Sequence, residues 1–479
     1  MTNKNVNNST INNSTNASSP ASNPHKPQPD HENKMGTMPV NKLLLTMAIP
    51  MIISMLVQAL YNIIDSIWVS NINQDALTAI SLAFPMQNLM ISLGVGTGVG
   101  VNALLSKSLG EKNQKMVNQT MGNGLFLSLL SGIFCMLLAV FASRLFFSVQ
   151  TDIEPIINYG AEYLFICMFF CIPAFGQIYF ERLLVSTGKT LYSMITQMSG
   201  AVLNIVLDPI LIFGYGPAPE LGMKGAAIAT VTAQFCAMLL AVHFNLKHNR
   251  EIQFASLRSF RPNLNIIKRI YMVALPSIIM MSITSVMIFG FNKILMGFTD
   301  AAATVLGIYF KLQSFVFMPI FGLNNGMVPI IAYNYGARKP ERMVRTIQVS
   351  VFFAICIMII GMGIFNVFTK ELLLIFNATD EVLQIGIPAL RTISLSFLLA
   401  SFCIVVGSVF QALENGLLSM LISVCRQLLV LLPCAYLLAQ IGSLNVVWFA
   451  FPIAEIISLL LSSIGMLYIY RTKIKPLYN

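Results

Sequence analysis

The sequence predicts an all-α polytopic membrane protein of twelve transmembrane helices, arranged as two homologous six-helix lobes. Three observations carry that prediction. Of 479 residues, 56% are hydrophobic and only 10% charged, with a mean hydropathy of +0.74, against about a quarter charged in a soluble globular chain. Apolar stretches of about 20 residues, long enough to cross a bilayer, follow one another along the chain. The sequence also repeats itself. Ala48-Ile49-Pro50 matches Ala274-Leu275-Pro276, Gly110-Glu111-Lys112 matches Gly336-Ala337-Arg338, and Leu191-Tyr192-Ser193-Met194 matches Leu417-Leu418-Ser419-Met420, each time 226 residues on. A duplication that keeps its register is how many carriers build two bodies that rock about a central site.

Residues 1–40 are rich in Asn, Ser, Thr and Pro, have no apolar core after a basic start, and read as a disordered cytoplasmic tail and not a signal peptide. The first lobe, 41–250, places spans at 43–69, 76–106, 122–148, 157–184, 190–215 and 223–245. The turn at Gly110-Glu111-Lys112 parts the second span from the third, Lys189 parts the fourth from the fifth, and Gly214 and Lys224 bound the loop before the sixth. A cytoplasmic linker, 251–266, leads to the second lobe, 267–472, with spans at 267–297, 301–334, 346–368, 383–412, 417–439 and 444–469. Residues 473–479 read as a cytoplasmic C-terminal tail.

Lys and Arg orient the bundle. With the N-terminus inside, outward loops hold only Arg144, Lys224 and Lys370, and the spans hold Lys293, Lys311, Arg391 and Arg426; the rest of the 29 lie in tails and inward loops. That asymmetry places both termini in the cytoplasm. The net charge of +10 reads as topology and contact with anionic lipid, not as nucleic-acid binding. The eight cysteines sit in apolar segments without Cys-x-x-Cys spacing and read as small apolar fillers.

Charge inside hydrocarbon is costly and marks function. Asp65 lies six residues before the outer end of span one, Asp208 six before the outer end of span five, and Thr230 six after the outer start of span six. All three fall roughly 9 Å below one surface at about 1.5 Å per residue. Asn204 and Asp208, four apart, share a helix face, with Gln197 on the same side two turns earlier; Gln58, Asn62 and Asp65 form a similar stripe. Pro209 frees the carbonyl of Ile205, one turn back. Carboxylates beside a freed carbonyl suit a proton or a small cation such as Na⁺; Gln58 and Gln197 equally suit hydrogen-bond glue between helices. In the second copy Phe291 stands where Asp65 does.

Among the other embedded charges, Glu455 in span twelve can pair with Arg426 in span eleven, in a structural or a substrate role. Lys293 and Lys311 read as snorkelling or as pairing with acids across the bundle. Glu181-Arg182 and Glu414, near the inner face, suit gating or simple solvation and read first as solvated. The histidines, His25, His31, His243 and His248, cannot reach the buried acids, and no phosphate-binding loop precedes a helix, which argues against an enzyme or an ATP-driven pump.

Four segments carry a resemblance: Tyr61-Asn62-Ile63-Ile64-Asp65-Ser66-Ile67-Trp68-Val69, the run Leu203 to Gly214, the run Gly225 to Thr230, and the run Met327 to Ala337. With them the chain resembles the MATE (multidrug and toxic compound extrusion) family, in its DinF/MepA-like branch, over residues 40–472. The resemblance implies a V-shaped pair of lobes that export amphiphilic organic cations in exchange for H⁺ or Na⁺, with no cofactor beyond that ion. It assigns cation coupling to Asp65, Asn204, Asp208 and Thr230, with Tyr61, Gln58, Asn62 and Gln197 as polar support, and leaves Glu455, Arg426, Lys311 and Lys293 for substrate or gating. Members of the NorM-like branch add acids in spans seven and ten; here those spans hold Lys293 and Arg391. Partners implied are small drugs and lipid, with a monomer in a bacterial plasma membrane; a lipid-linked precursor flippase of the same superfamily is the alternative.

Overall fold

The computed structural model describes residues 32–216, 219–376 and 378–478. After a short α1 (Lys34–Thr37), the first lobe comprises α2 (Val40–Ser70), α3 (Gln74–Gly110), α4 (Gln114–Ser148), α5 (Glu154–Phe169), α6 (Ile172–Ser186), α7 (Thr190–Phe213) and α8 (Met223–His248). The second comprises α9 (Leu264–Leu295), α10 (Asp300–Gly336), α11 (Pro340–Val367), α12 (Thr369–Leu374), α13 (Asp380–Ser394), α14 (Ser396–Ala412), α15 (Gly416–Val424), α16 (Leu432–Ile441), α17 (Leu444–Val447) and α18 (Ala450–Ile469). Ten helices among the described residues are long and apolar enough to cross a membrane, and two bent pairs bring the number of spans to twelve. The internal repeat is structural: α3 and α10 coincide at both ends after a shift of 226. Local signals repeat too. Asn73 caps α3 by accepting from Ala76 N–H at 2.7 Å and its counterpart Thr299 caps α10 from Ala301 at 3.3 Å, while Lys112 and Arg338 both adopt positive φ, 54° and 53°.

The fourth and tenth spans, expected as single helices, are broken. α5 meets α6 at 49° and α13 meets α14 at 47°. At the first break Pro173 begins a new helix, and the Cys171 thiol donates to the Gly132 carbonyl on α4. At the second, the Ser394 and Ser396 hydroxyls donate to the carbonyls of Arg391 and Ile393, taking acceptors from the helical ladder. The prolines inside α2, α3, α7, α9 and α10 leave their helices continuous.

The lobes join along α2, α3, α9 and α10, and glycines permit it. A Cβ on Gly110 would lie 1.9 Å from the Tyr333 carbonyl, and one on Gly336 would lie 2.1 Å from the Lys107 carbonyl. Gly100 and Gly326 likewise abut Ile270 and Ala48, and Gly96 and Gly322 abut Ile278 and Ile52. These are three pairs of repeat positions, so the seam has the self-complementary form of a two-fold dimer interface. It occupies the end of the bundle that carries both termini.

The expected disordered tail 1–40 gives way to packed structure at its end; residues 1–31 lie outside the described residues. Met35 is fully buried, Asn33 donates to the Thr187 carbonyl and to Glu251 at 3.1 Å, and Glu32 pairs with Lys339. Burial and the Lys189 ammonium push the Lys34 ammonium below its ordinary value, against Glu251. The expected tail at 473–479 also packs, with Ile474 buried. In the linker, Phe254–Ser259 forms a 3-10 helix, and Lys189 is ion-paired to Glu251.

Candidate functional site

Asp208 and Asn204 are fully buried on α7, and Thr230 nearly so on α8. The Thr230 hydroxyl donates to the Ala226 carbonyl at 3.0 Å, a local bond that fixes its rotamer. The Asn204 side chain bridges the two helices. Oriented to satisfy both neighbours, its Nδ2 donates to Asp208 Oδ2 at 3.0 Å and its Oδ1 accepts the Thr230 N–H at 3.1 Å. From α2, Asp65 lies beside Asp208, and its Oδ1 is buried without a hydrogen-bond partner. Tyr61, one turn earlier on α2, lies near Asp65, Asp208 and Thr230. Asp65, Asp208 and Thr230, read at one depth in the sequence, are neighbours in the fold, with Asn204 bridging α7 and α8 and Tyr61 near them.

The supporting residues divide. Gln58 donates to Asn62 Oδ1 at 3.4 Å on an outward part of α2, and Asn62 is exposed. Gln197 shares Asn204's face but sits two turns deeper, where it accepts from Ser54 and lines a separate cavity of about 90 Å³ with Met51, Met55, Glu181 and Arg182. Sequence reasoning missed Tyr163, whose hydroxyl accepts from Gln87 at 3.1 Å and which lies near Asp65. It also missed Trp68 and Phe213, edge to face at 6.3 Å about one turn beyond the acids.

The second lobe has no copy of this cluster. Phe291, Val430, Cys434 and Ile456 stand at the repeat positions of Asp65, Asn204, Asp208 and Thr230, and Phe291 is buried against Trp448 and Phe451. Its charge is the pair Arg426–Glu455, with Nη1 2.6 Å from Oε1. Lys293 and Lys311 are exposed, away from that pair, and the Lys311 ammonium lies 5.8 Å over the Phe376 ring.

Glu414 and Glu181-Arg182, expected as solvated, are not. Glu414 occupies the turn between α14 and α15, with its side chain only 15% exposed, and accepts from Lys107 of the first lobe at 2.9 Å and from Arg269 at 3.0 and 3.1 Å. Burial alone would push its carboxyl up; Lys107 and Arg269 outweigh burial and hold it below the ordinary 4.5. Arg182 donates to Asn325 of the second lobe at 2.9 Å, and Glu181 accepts from Gln177 at 3.0 Å. The repeat brings Lys107 and Glu414 together from 307 positions apart.

Two lobes on a self-complementary seam, one holding a buried carboxylate cluster and the other an ion pair between its last two spans, define a membrane transporter built by duplication. The family model MatE matches residues 50–210 and 276–437, one match in each lobe, and the chain belongs to that family. It is 27% identical over 444 residues to the multidrug export protein MepA of Staphylococcus saprophyticus, covering 91% of this chain and 95% of that one. Against an FAD transporter of Shewanella oneidensis the identity is 25% over 423 residues, covering 88% and 92%. The fold superposes with a TM-score of 0.86 on an outward-facing conformation of a multidrug resistance MATE family transporter of the MOP superfamily, at 24% identity, covering 94% of this chain and 99% of that one.

Proposed function

We propose that the protein is a secondary multidrug efflux antiporter of a bacterial plasma membrane, its termini cytoplasmic, exporting amphiphilic organic cations in exchange for H⁺ or Na⁺. The observation that carries this reading is the Asp65 carboxyl, its Oδ1 buried without a hydrogen-bond partner, beside the fully buried Asp208 inside the first lobe. Two ionised carboxylates in a site of low dielectric repel, so the arrangement calls for a shared proton or a bound cation. Asn204, Thr230 and Tyr61 supply the fixed dipoles that orient it. Loss of the ion restores the repulsion, and the uncompensated charge then favours an organic cation or the opposite conformation; exchange follows because each ligand shifts the equilibrium only by its differential affinity. The likeness to MepA proteins supports multidrug export as the direction and breadth of transport.

The test is efflux of a fluorescent lipophilic cation from proteoliposomes under an imposed pH gradient and then a Na⁺ gradient. We expect gradient-driven efflux by the wild type, lost in Asp65→Asn and in Asp208→Asn. Full efflux by Asp208→Asn would remove the acids from the mechanism. Absence of wild-type efflux under both gradients would favour the flippase reading.

A further inference from the structure

Residues 32–38 bind both lobes. The segment leads through Pro39 into α2, so one end is fixed to the first lobe. Its middle is held by the end of α10 and the start of α11, in the second lobe. There the Asn334 side chain donates to the Met35 carbonyl at 3.0 Å, the Arg342 guanidinium to the carbonyls of Met35 and Met38 at 3.1 and 2.7 Å, and the Lys339 ammonium to the Gly36 carbonyl at 3.0 Å. Its tip returns to the first lobe, where the Asn33 side chain donates to the Thr187 carbonyl and to Glu251 Oε1, both at 3.1 Å. Met35 is fully buried in the apolar core of the second lobe and also lies against Gly188 of the first, where a Cβ would stand 3.5 Å from its Cγ. The two edges differ in strength. The second-lobe edge sets charged donors on main-chain carbonyls, the stronger kind of hydrogen bond, whereas the first-lobe edge hangs on the one side chain of Asn33.

We propose that residues 32–38 are a strap that holds the cytoplasmic end of the bundle shut and releases at Asn33 each time that end opens. With the tip bound, the turn between α10 and α11 is enclosed between α2 and the Thr187–Glu251 edge, both on the first lobe. The second lobe then cannot move off without breaking one side of the enclosure. Freeing it from the strap itself means stripping Arg342 and Lys339 from their carbonyls and lifting Met35 out of an apolar core, so the side that gives is Asn33. Release there leaves no buried charge unpaired: Glu251 keeps its ion pair with Lys189, and the Thr187 carbonyl meets cytoplasmic water. The proposal rests on the reading that the lobes rock, and not on which ion or cargo moves.

Electron–electron resonance distances across the far end report the opening without any gradient, because that end closes as the cytoplasmic end parts. Spin labels are clicked onto azido side chains installed at Val149 and Ile375, both exposed, in the purified full chain with its eight native cysteines replaced. Asn33→Ser keeps the helix cap that Asn33 gives the Met35 N–H and drops both bonds to the first lobe. The short, inward-open population should grow about tenfold, the worth of one neutral and one charged hydrogen bond that are partly solvated. Glu32→Gln removes only the partly exposed pair with Lys339 and should change that population less than about twofold. In Asn33→Cys/Glu251→Cys a short, reducible thiol cross-linker fastens the tip, and the short distances should vanish until reductant is added. An unchanged distribution in Asn33→Ser, an equal rise in Glu32→Gln, or short distances that persist under the cross-link overturns the proposal. Failure of the export reading shows differently, as absent gradient-driven efflux by a wild type whose far-end distances still exchange.

Discussion

Glu414→Gln should release the end of the bundle that carries the termini. The glutamate crosses the seam through one bond, to Lys107 at 2.9 Å, and its contacts with Arg269 stay within the second lobe. The substitution keeps side-chain size and the backbone at φ 60° but leaves Arg269 without its carboxylate and Lys107 with only the more distant Glu111, at 3.9 Å. A hydrogen bond to a charged group contributes about 1.5–3 kcal/mol. With Lys107 17% and Glu414 15% exposed, part of that is screened, and about 1.5 kcal/mol is a reasonable loss from the closed form. That corresponds to roughly a tenfold shift in the ratio of closed to open. Val149 and Ile375, 79% and 70% exposed, are repeat equivalents at the far end and suit spin labels, once the eight native cysteines have been replaced. Electron–electron resonance distances between them should shorten as the far end closes, the short population growing about tenfold. Lys107→Gln should do the same, and the double variant no more than either alone, because both remove one interaction. An unchanged distribution in Glu414→Gln, or additive effects in the double variant, would refute the assignment of Glu414–Lys107 as a bond that holds the lobes together.

The lock should follow pH with a definite sign. Because Lys107 and Arg269 depress the Glu414 carboxyl against burial, its stabilisation is complete above the ordinary 4.5 and is lost as pH falls through the depressed value. The Val149–Ile375 distances should therefore hold steady from pH 8 to 5 and shift only in stronger acid; a transition near neutrality would point to another group. Gly336→Ala, whose methyl would meet the Lys107 carbonyl at 2.1 Å, should cost about 1–3 kcal/mol as overpacking, lower the midpoint of thermal unfolding and open the seam. Gly307→Ala, with nothing within 4 Å, should leave distances unchanged and serve as the control.

The repeat was legible because hydropathy and small-residue turns are local properties, and a shift of 226 aligns helix ends as well as motifs. Depth was legible for Asp65, Asp208 and Thr230 because rise per residue is constant in a helix. It also shows why Gln197 does not join them: two turns place it about 10 Å away, against Ser54 instead of Asp65. The breaks at 170–171 and 395 were hidden because their cause is common. Ser277 and Ser408 make hydroxyl-to-carbonyl bonds like those of Ser394 and Ser396, yet sit in continuous helix. Glu414 read as solvated since a charge at a span end normally is, and only the folded seam brings Lys107 to it.

The two lobes have diverged where contacts stay within a lobe and have kept glycine where main chain meets main chain across the seam. Gly110 and Gly336 touch main chain at repeat-equivalent positions: Gly110 meets Tyr333 and Ala337, and Gly336 meets Lys107 and Glu111. Any side chain at one copy collides with main chain of the other, so neither copy is free to change alone. Asp65 and Phe291 face only their own lobes and were free to part. The lock lies between these cases. The repeat position of Glu414 is Gly188, also at positive φ, and there the N-terminal segment packs instead, with Lys34 and Met35 beside the glycine. Among the described residues, the Lys107–Glu414 pair thus stands at one of the two places that symmetry allowed. A second would add about as much again to the closed form, and a transporter needs its two conformations within a few kcal/mol of each other to turn over.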